Sequence, residues 1–350
     1  MSAADVTGLP DGLTARPLTL ADADAAAELL AAAETVDDTG EHEDAADLIE
    51  WWGREPEEEP PAPRHAQARG GTLQPGHRRD GVAVVDADGR VVAWATSIVP
   101  RGVRDALRIW SEGRVHPDWR GRGIGRALVA WQLRRGAEQH AELAPAVPGR
   151  LVAAAWPAMT SLERLLQRAG FERERLYATM ERPLTDLPRA TPAPGVQLTP
   201  FTWDRDDEVR RAHNASFTEH HGSTERDEVA WRSWFTGQRA FRPDLSVLAL
   251  ADGAVVGYVL AYVYEADTRA TGVATAHLGQ IGVLPSARGR GVATATIAAA
   301  LAAAAEAGCG RAALDVDTEN TTGAFGLYER VGFRTARTHV AYAYPLAPLG

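Results

Sequence analysis

Two glycine-rich turns carry residues whose types and spacing suit the binding of a phosphate. Each turn follows a Val-x-Pro sequence at the end of an apolar run, and the turns begin at Arg120 and Arg288. Because glycine lacks a Cβ, backbone N–H groups can converge on an anion at the start of the next helix, where the dipole also favours negative charge. The turn at Arg288 has neither the lysine and Ser/Thr of a P-loop nor dinucleotide-fingerprint spacing. The sequence therefore predicts a pyrophosphate cradle of another kind.

The candidate residues of each cradle form one run, preceded in the first cradle by a strand valine. The first cradle consists of Val115, Arg120, Gly121, Arg122, Gly123, Ile124, Gly125 and Arg126. The second cradle consists of Arg288, Gly289, Arg290, Gly291, Val292, Ala293 and Thr294. In both copies an apolar segment follows, which predicts the helix whose N-terminus faces the anion.

The two turns belong to a long internal repeat. Arg120 and Arg288 lie 168 residues apart, and each copy ends on a Gly-Phe pair, which begins at Gly170 in the first and Gly332 in the second. A period of this length indicates duplicated domains rather than a solenoid. We therefore expect two related domains, each with its own cradle.

Each copy predicts a mixed α/β domain with the same order of elements. An extended segment precedes a helix, and two alternating apolar runs joined by a Gly-containing turn predict a hairpin. These elements are expected at residues 13–18, 21–33, 81–85 and 91–98, and again at 196–199, 204–216, 246–250 and 255–264. The proline-rich stretch 185–195 predicts a semi-extended linker. The expected domains are thus 1–184 and 196–350.

The repeated motif resembles that of the GNAT superfamily of N-acetyltransferases, whose signature is Arg or Gln, two residues, Gly, one residue, then Gly or Ala. The matching residues are Arg120, Gly123 and Gly125 in the first copy and Arg288, Gly291 and Ala293 in the second. The resemblance covers nearly the whole chain. It implies two tandem GNAT-type domains of α/β class around a mixed sheet, with acetyl-CoA as the acyl donor.

The resemblance also assigns the donor site in the second copy. The backbone of Ile281, Gly282 and Val283 would pair with the pantetheine amides of CoA, as an addition to a strand edge. In this family an asparagine follows the next strand, and Asn320 occupies that position. These residues extend the predicted acetyl-CoA site beyond the cradle.

A tyrosine distinguishes the second copy from the first. The family places one four residues before the Gly-Phe pair, and Tyr328 matches this spacing, whereas Leu166 stands there in the first copy. By resemblance, Tyr328 protonates the departing sulfur, a task that leucine cannot perform. We therefore expect the chemistry in the C-terminal domain and a non-catalytic N-terminal domain.

The general base is less defined by the sequence. Family members often carry a carboxylate on the strand that holds His277 and Gln280. Glutamine cannot accept a proton, but a neutral imidazole can, so His277 is the candidate. Glu219, His220 and His221 are alternative bases or acceptor contacts, with a structural role for His277 left open.

Composition excludes several other classes of partner. The net charge of −10 disfavours nucleic-acid binding, and an apolar run long enough for a membrane span is missing from the sequence. The N-terminus has no secretory signal pattern, so we expect a cytoplasmic protein, as a monomer or homodimer. The single cysteine, Cys309, is expected to be a buried thiol, and no metal site is expected.

We thus expect acetyl transfer to a primary amine of a small molecule. Two alternatives remain: acetylation of a protein or peptide N-terminus, and a CoA-binding or sensing scaffold without turnover. The tandem architecture resembles that of mycothiol synthases, but the strand glutamate of that family falls at His277, so the acceptor does not carry over. The acidic run 37–44 predicts either a solvated loop or a contact with a cation.

Overall fold

The computed structural model describes residues 5–53, 78–100, 102–218, 223–319 and 323–349. They form two compact units. Unit 1 comprises Met1–Arg175 and His339–Gly350, and unit 2 comprises Leu176–Thr338.

Both units are built from a mixed sheet with helices on its two faces. The strands in chain order are β1 (Thr14–Pro17), β2 (Arg78–Val85), β3 (Val91–Val99), β4 (Leu107–Val115), β5 (Gly149–Ala155), β6 (Glu172–Pro183), β7 (Val196–Pro200), β8 (Val247–Ala251), β9 (Ala254–Tyr262), β10 (Thr275–Val283), β11 (Arg311–Asp317) and β12 (Arg334–Leu346). The helices are α1 (Ala23–Asp37), α2 (Ala45–Trp52), α3 (Ile124–Leu143), α4 (Thr160–Arg168), α5 (Asp206–Ser216), α6 (Glu228–Trp231), α7 (Glu265–Thr271), α8 (Val292–Glu306) and α9 (Ala324–Arg330).

In unit 1 the strand order is β1-β2-β3-β4-β5-β12, antiparallel except for the parallel pair β4 and β5. Helices α1 and α2 cover one face, where Leu29 and Trp52 pack with Trp94 of β3. Helix α3 covers the other face, where Leu128 and Trp131 pack against the alternate residues of β2 and β3. The period of two along the strands thus gives each face its own apolar layer.

Unit 2 repeats this plan with the order β6-β11-β10-β9-β8-β7. Helices α5 and α6 pack on the face that carries Tyr258, Leu260 and Tyr262 of β9. Helices α8 and α9 pack on the opposite face, against Ala276 and Leu278 of β10. β10 and β11 are parallel, and β10 and β9 are antiparallel.

The last strand of each repeat belongs to the unit formed by the other repeat. β6 follows the first Gly-Phe pair, yet its residues from Leu176 onward belong to unit 2, where Tyr177 to Pro183 pair with β11. β12 follows the second Gly-Phe pair, yet its residues from His339 onward belong to unit 1, where Val340 to Leu346 pair with β5. The compact units therefore cut across the repeats, and the expected boundaries at 184 and 196 stay a prediction about the repeats alone.

The hairpins and first helices predicted for both copies are present in the structure. The predicted helix 204–216 corresponds to α5 and the predicted strands 91–98 and 255–264 to β3 and β9. Helices α2, α6 and α7 were not predicted. None of the described helices combines the length and apolar character that crossing a membrane requires.

Candidate active site

The cradle of unit 2 is an open helix N-terminus. Gly291 caps α8 with a φ of 79°, and Gly289 has a φ of 72°. This left-handed backbone conformation is easily adopted by glycine. A Cβ at either position would meet no atom within 4 Å, so the turn faces open space. An anion can therefore approach the N–H groups of the first turn of α8, where partial positive charge is concentrated.

The side chains of this cradle are used for structure rather than left free. The Arg288 guanidinium donates to the carbonyl of Ser216 at 2.9 Å, and Arg290 donates to the carbonyl of Pro194 at 3.3 Å. Val292 is buried, while Thr294 is exposed on the first turn. The predicted residues thus form a shaped turn whose anion donors are backbone groups.

Strand β10 leaves its parallel neighbour partway along its length. The ladder between β10 and β11 runs from Thr275 to His277, whereas the ladder between β10 and β9 continues to Val283. Gly279 forms a bulge, because Leu278 pairs with Ala261 while Gln280 pairs with the next residue of β9. Among the described residues, the β11-facing edge of β10 thus has no ladder partner after His277. This edge includes the predicted pantetheine-binding residues.

His277 lies at the point where the two strands separate. It pairs with Tyr262, which places it on the sheet face covered by α5 and α6. Its Nε2 lies 3.2 Å from Oδ2 of Asp315 on β11, and Oδ1 of Asp315 accepts a 2.6 Å hydrogen bond from the Thr179 hydroxyl. Tyr264 contacts the imidazole edge-on. A carboxylate held in this way can fix the orientation of an imidazole that accepts a proton.

Tyr328 lies on the opposite face of the sheet. Its ring packs in the apolar cluster beneath α8 and contacts Phe333 edge-on, and 9% of the residue is exposed. Burial raises the pKa of Tyr328 to about 12. The phenol therefore stays protonated at neutral pH. His277 and Tyr328 therefore lie on opposite faces of the sheet of unit 2.

A buried phenol that the sequence did not single out borders the same gap. Tyr258 is fully buried on β9, and its hydroxyl is 2.8 Å from Nδ1 of His213 on α5. A Cβ on Gly282 would lie 2.4 Å from the Tyr258 ring, so the ring occupies the space beside the strand residue predicted to bind pantetheine. Burial and then the nearby phenols of Tyr262 and Tyr328 hold the pKa of Tyr258 well above its usual value.

Asp315, His213 and Tyr258 are thus the site residues that sequence reasoning missed. Asp315 belongs to the run Leu314–Asp317, where polar and apolar residues alternate on a strand, and this pattern was the available signal. The predicted contacts Glu219, His220, His221 and Asn320 lie outside the described residues.

Unit 1 has the same glycine turn, but a leucine stands where unit 2 has the tyrosine proposed as the acid. Gly121 and Gly123 have φ values of 76° and 94° before α3. Arg120 forms a two-pronged ion pair with Asp37 of α1, at 2.7 and 2.8 Å, and the Arg122 guanidinium stacks 4.7 Å above the Trp119 ring. Ile124 is buried, whereas Gly125 and Arg126 lie on the first turn of the helix. Leu166, in the place of the tyrosine, is buried in the apolar cluster of unit 1.

Among the described residues, no three histidine, cysteine, aspartate or glutamate side chains are grouped so as to hold a metal ion. Cys309 is buried as a free thiol. Burial raises its pKa, so thiolate chemistry is disfavoured.

Comparison with known families assigns both halves of the chain. The family described as Acetyltransferase (GNAT) family matches residues 207–333, and the one described as Acetyltransferase (GNAT) domain matches residues 78–173. Each match contains one cradle and its strand. The protein is an acyl-CoA-dependent N-acetyltransferase.

Relatives and solved structures extend over most of the chain. A mycothiol acetyltransferase of Frankia casuarinae is 32% identical over 267 residues, which cover 73% of this chain and 72% of the relative. A GCN5-related N-acetyltransferase from Sphaerobacter thermophilus, at 26% identity and a TM-score of 0.71, covers 97% of this chain and 98% of its own. A tandem GNAT protein from the clavulanic acid biosynthesis pathway shares the fold with a TM-score of 0.66 and 20% identity, covering 96% and 99%. The chain belongs to the GNAT family and carries two GNAT domains in tandem.

Proposed function

We propose that unit 2 transfers the acetyl group of acetyl-CoA to a primary amine of a small molecule, with Tyr328 as general acid and His277 as general base. The observation that carries this proposal is the gap between β10 and β11, which begins at His277. In the proposal, an extended acyl donor lies along this gap, with its pyrophosphate at the cradle and its thioester near His277 and Tyr328.

The donor side of the gap fits acetyl-CoA. Gly289 and Gly291 leave room for a pyrophosphate at the N-terminus of α8. The free edge of β10 from Gln280 to Val283 offers backbone groups that can pair with an extended amide-bearing chain. When bound, acetyl-CoA supplies the activated thioester, and the strand edge positions its carbonyl.

The reaction requires one bond to form and one to break. The neutral amine attacks the thioester carbonyl carbon and the C–N bond forms. The C–S bond then breaks with its electron pair on sulfur, and CoA leaves as the thiol once that sulfur is protonated. His277, oriented by Asp315, takes the proton from the amine nitrogen, and the Tyr328 hydroxyl gives its proton to the sulfur. Because the Tyr328 pKa lies at about 12, the phenol is a fully protonated donor at neutral pH.

The name of the Frankia relative supports a small-molecule acceptor. The acidic charge of the chain also suits a cationic amine better than a nucleic acid. Since His277 stands where the mycothiol synthases carry a glutamate, we leave the acceptor at the level of a primary amine.

Mass spectrometry of product mixtures tests the proposal. The full-length protein is incubated with acetyl-CoA and a panel of small primary amines and short peptides, and acetylated products are quantified against enzyme-free controls. We expect acetylated small amines. Acetylation of peptides alone would favour the N-terminal acetyltransferase alternative, and saturable CoA binding without any product would favour the scaffold.

A further inference from the structure

Asp315 lies just past the point where β10 separates from β11. The ladder between these two strands ends with the pair of His277 and Ala313, and Asp315 is two residues further along β11, on the same face. On its other side, β11 continues to pair with β6 from Arg311 to Asp317. Among the described residues, β6 is therefore the strand that flanks Asp315 in a ladder.

Thr179 of β6 is the direct neighbour of Asp315. The two residues are paired in the antiparallel ladder, so their side chains project from the same face at close range. The Thr179 hydroxyl donates to Oδ1 of Asp315 at 2.6 Å, while Oδ2 lies 3.2 Å from Nε2 of His277. One carboxylate thus accepts from a hydroxyl on one strand and faces an imidazole on another.

The exposure of this carboxylate makes an anchor important. The Asp315 side chain is 46% exposed, and that of His277 is 23% exposed. An ion pair between exposed groups is weak, because water competes for the charges and both side chains must be held in one geometry. A hydroxyl bond to a carboxylate is stronger than a bond between neutral groups. The Thr179 bond therefore restricts the rotation of Asp315 and reduces the entropy that its carboxylate loses on pairing with the imidazole.

The polar groups of the adjacent rung bond with one another. Arg311 of β11 donates to the carboxylate of Glu181 on β6 at 2.9 Å and to the Thr275 hydroxyl on β10 at 3.1 Å. Thr275 lies two residues before His277 on the same face of β10. The sheet thus offers a second threonine close to His277 whose hydroxyl is bonded to Arg311.

Aromatic groups border the imidazole of His277 on other sides. Tyr262 lies opposite His277 on β9, and Tyr264 contacts the ring edge-on. A tyrosine phenol is ordinarily uncharged at neutral pH. A change in the orientation of Asp315 should therefore be seen in the titration of His277, since its negative charge stabilises the protonated imidazole.

We propose that Thr179 is a positioning residue for the Asp315–His277 pair, in which its hydroxyl fixes one carboxylate oxygen so that the other faces Nε2 of the imidazole. Thr179 lies in the strand that follows the first Gly-Phe pair, so the first repeat contributes a residue to the catalytic unit. The use of this geometry in catalysis rests on the proposed function of His277 as general base. The orientation itself does not depend on that function.

Nuclear magnetic resonance of the full-length protein, labelled in its histidine rings, tests the orientation, and His277→Gln assigns the signal. We expect the pKa of His277 to fall in Thr179→Val, because the carboxylate turns toward solvent and the imidazolium loses stabilising negative charge. The fall should have the same direction as in Asp315→Asn and be smaller. Thr179→Ser, which keeps the hydroxyl, should titrate as wild type does.

Thr275→Val is the matched control. It makes the same replacement two residues from His277, but at a hydroxyl that accepts from Arg311, so the His277 titration should stay as in wild type. In steady-state kinetics, Thr179→Val should lower kcat about two- to fivefold with KM for acetyl-CoA within about twofold, whereas Thr275→Val should leave kcat unchanged. Thermal unfolding checks that every variant is folded.

A double variant separates an effect through Asp315 from any other effect. Thr179→Val is combined with Asp315→Asn, and both readouts are repeated. If Thr179 acts through the carboxylate, its replacement in the Asp315→Asn background should change neither the His277 titration nor kcat any further.

Three results would overturn the proposal. These are an unchanged His277 titration in Thr179→Val, a Thr179→Ser variant that behaves as Thr179→Val does, and an equal effect of Thr179→Val with and without Asp315→Asn. A separate result would count against the proposed function alone. If His277→Gln keeps the kcat of wild type while Thr179→Val still lowers the pKa of His277, the imidazole is not the base, but Thr179 positions it.

Discussion

The two units use equivalent central strands in different ways. β10 has a bulge at Gly279 and, among the described residues, no ladder partner on its β11-facing edge after His277, so this edge can pair with an extended ligand, while the Tyr258 ring fills the space beside Gly282. β4 pairs with β3 without a register shift, and Arg114 stands at the position that corresponds to Gly282. The same glycine turn thus follows two different strands. The strand of unit 2 has a free backbone edge, whereas the strand of unit 1 carries a charged side chain at the corresponding position. The two copies thus share the glycine turn before the helix and differ in the strand that precedes it.

Replacement of a cradle glycine by aspartate, made separately in each unit, should give the largest difference in activity between the two units. Gly291→Asp should lower kcat/KM for acetyl-CoA at least about 100-fold, because it combines a left-handed backbone conformation with a carboxylate facing the pyrophosphate. Gly123→Asp should change it less than about threefold if the chemistry belongs to unit 2. Steady-state kinetics with a fixed amine measure both, and the reverse order of effects would move the chemistry to unit 1.

Removal of one tyrosine hydroxyl from each unit should give the second largest difference in activity. Tyr328→Phe should lower kcat at least about tenfold, with KM for acetyl-CoA little changed, because the proton donor is lost while the ring still packs. In unit 1, Tyr342→Phe removes a hydroxyl that donates to Glu163, and we expect kcat to stay within about twofold. Comparable losses in both variants would argue against Tyr328 as the acid.

The ion pair at the start of the gap should give a smaller effect. Asp315→Asn removes the charge 3.2 Å from His277 but keeps the shape of the side chain, so kcat should fall about three- to tenfold. If His277 titrates in catalysis, the pH profile of kcat should shift to lower pH, because the imidazolium loses a stabilising negative charge. An unchanged profile would leave the histidine a structural role.

A glycine substitution tests why β10 differs from β4. Gly282→Ala places a methyl group 2.4 Å from Tyr258 and should destabilise the protein by about 1–3 kcal/mol, seen as a lower thermal midpoint. Gly326→Ala, in α9 of the same unit, should be neutral or stabilising by up to about 1 kcal/mol, because alanine favours helix. Equal midpoints for the two variants would show that Tyr258 readily moves away.

The pH dependence of unit 2 should be flat where an ordinary phenol titrates. The pKa of Tyr328 is raised to about 12, so its proton is present below that value and is lost only above it. We expect kcat not to decline between pH 8 and pH 10. A decline in this range that disappears in Tyr328→Phe would mean that bound substrate lowers the pKa of the phenol.

The cradles could be predicted because they depend on local chemistry. Glycines at positive φ before an apolar helix are visible in sequence, and the repeat gave the signal twice. The pairing of His277 with Asp315 depends on the register of two parallel strands 38 residues apart, which no local pattern specifies.

The assignment of the final strands also could not be read from the repeat. Each copy contains a full set of predicted elements, so β6 and β12 look like the closing strands of their own copies. Which edge a strand joins is decided by pairing energy over the whole chain, and hydrophobic alternation is equally compatible with either edge.

The strand assignment of β12 has a consequence for synthesis. Unit 1 obtains its segment His339–Gly350 from beyond the whole of unit 2, so a ribosome must translate past unit 2 before unit 1 can close its sheet. A gene cut at the proline-rich stretch would yield two fragments, each missing an edge strand held by the other. We expect such fragments to be insoluble when made singly and to recover activity when co-expressed.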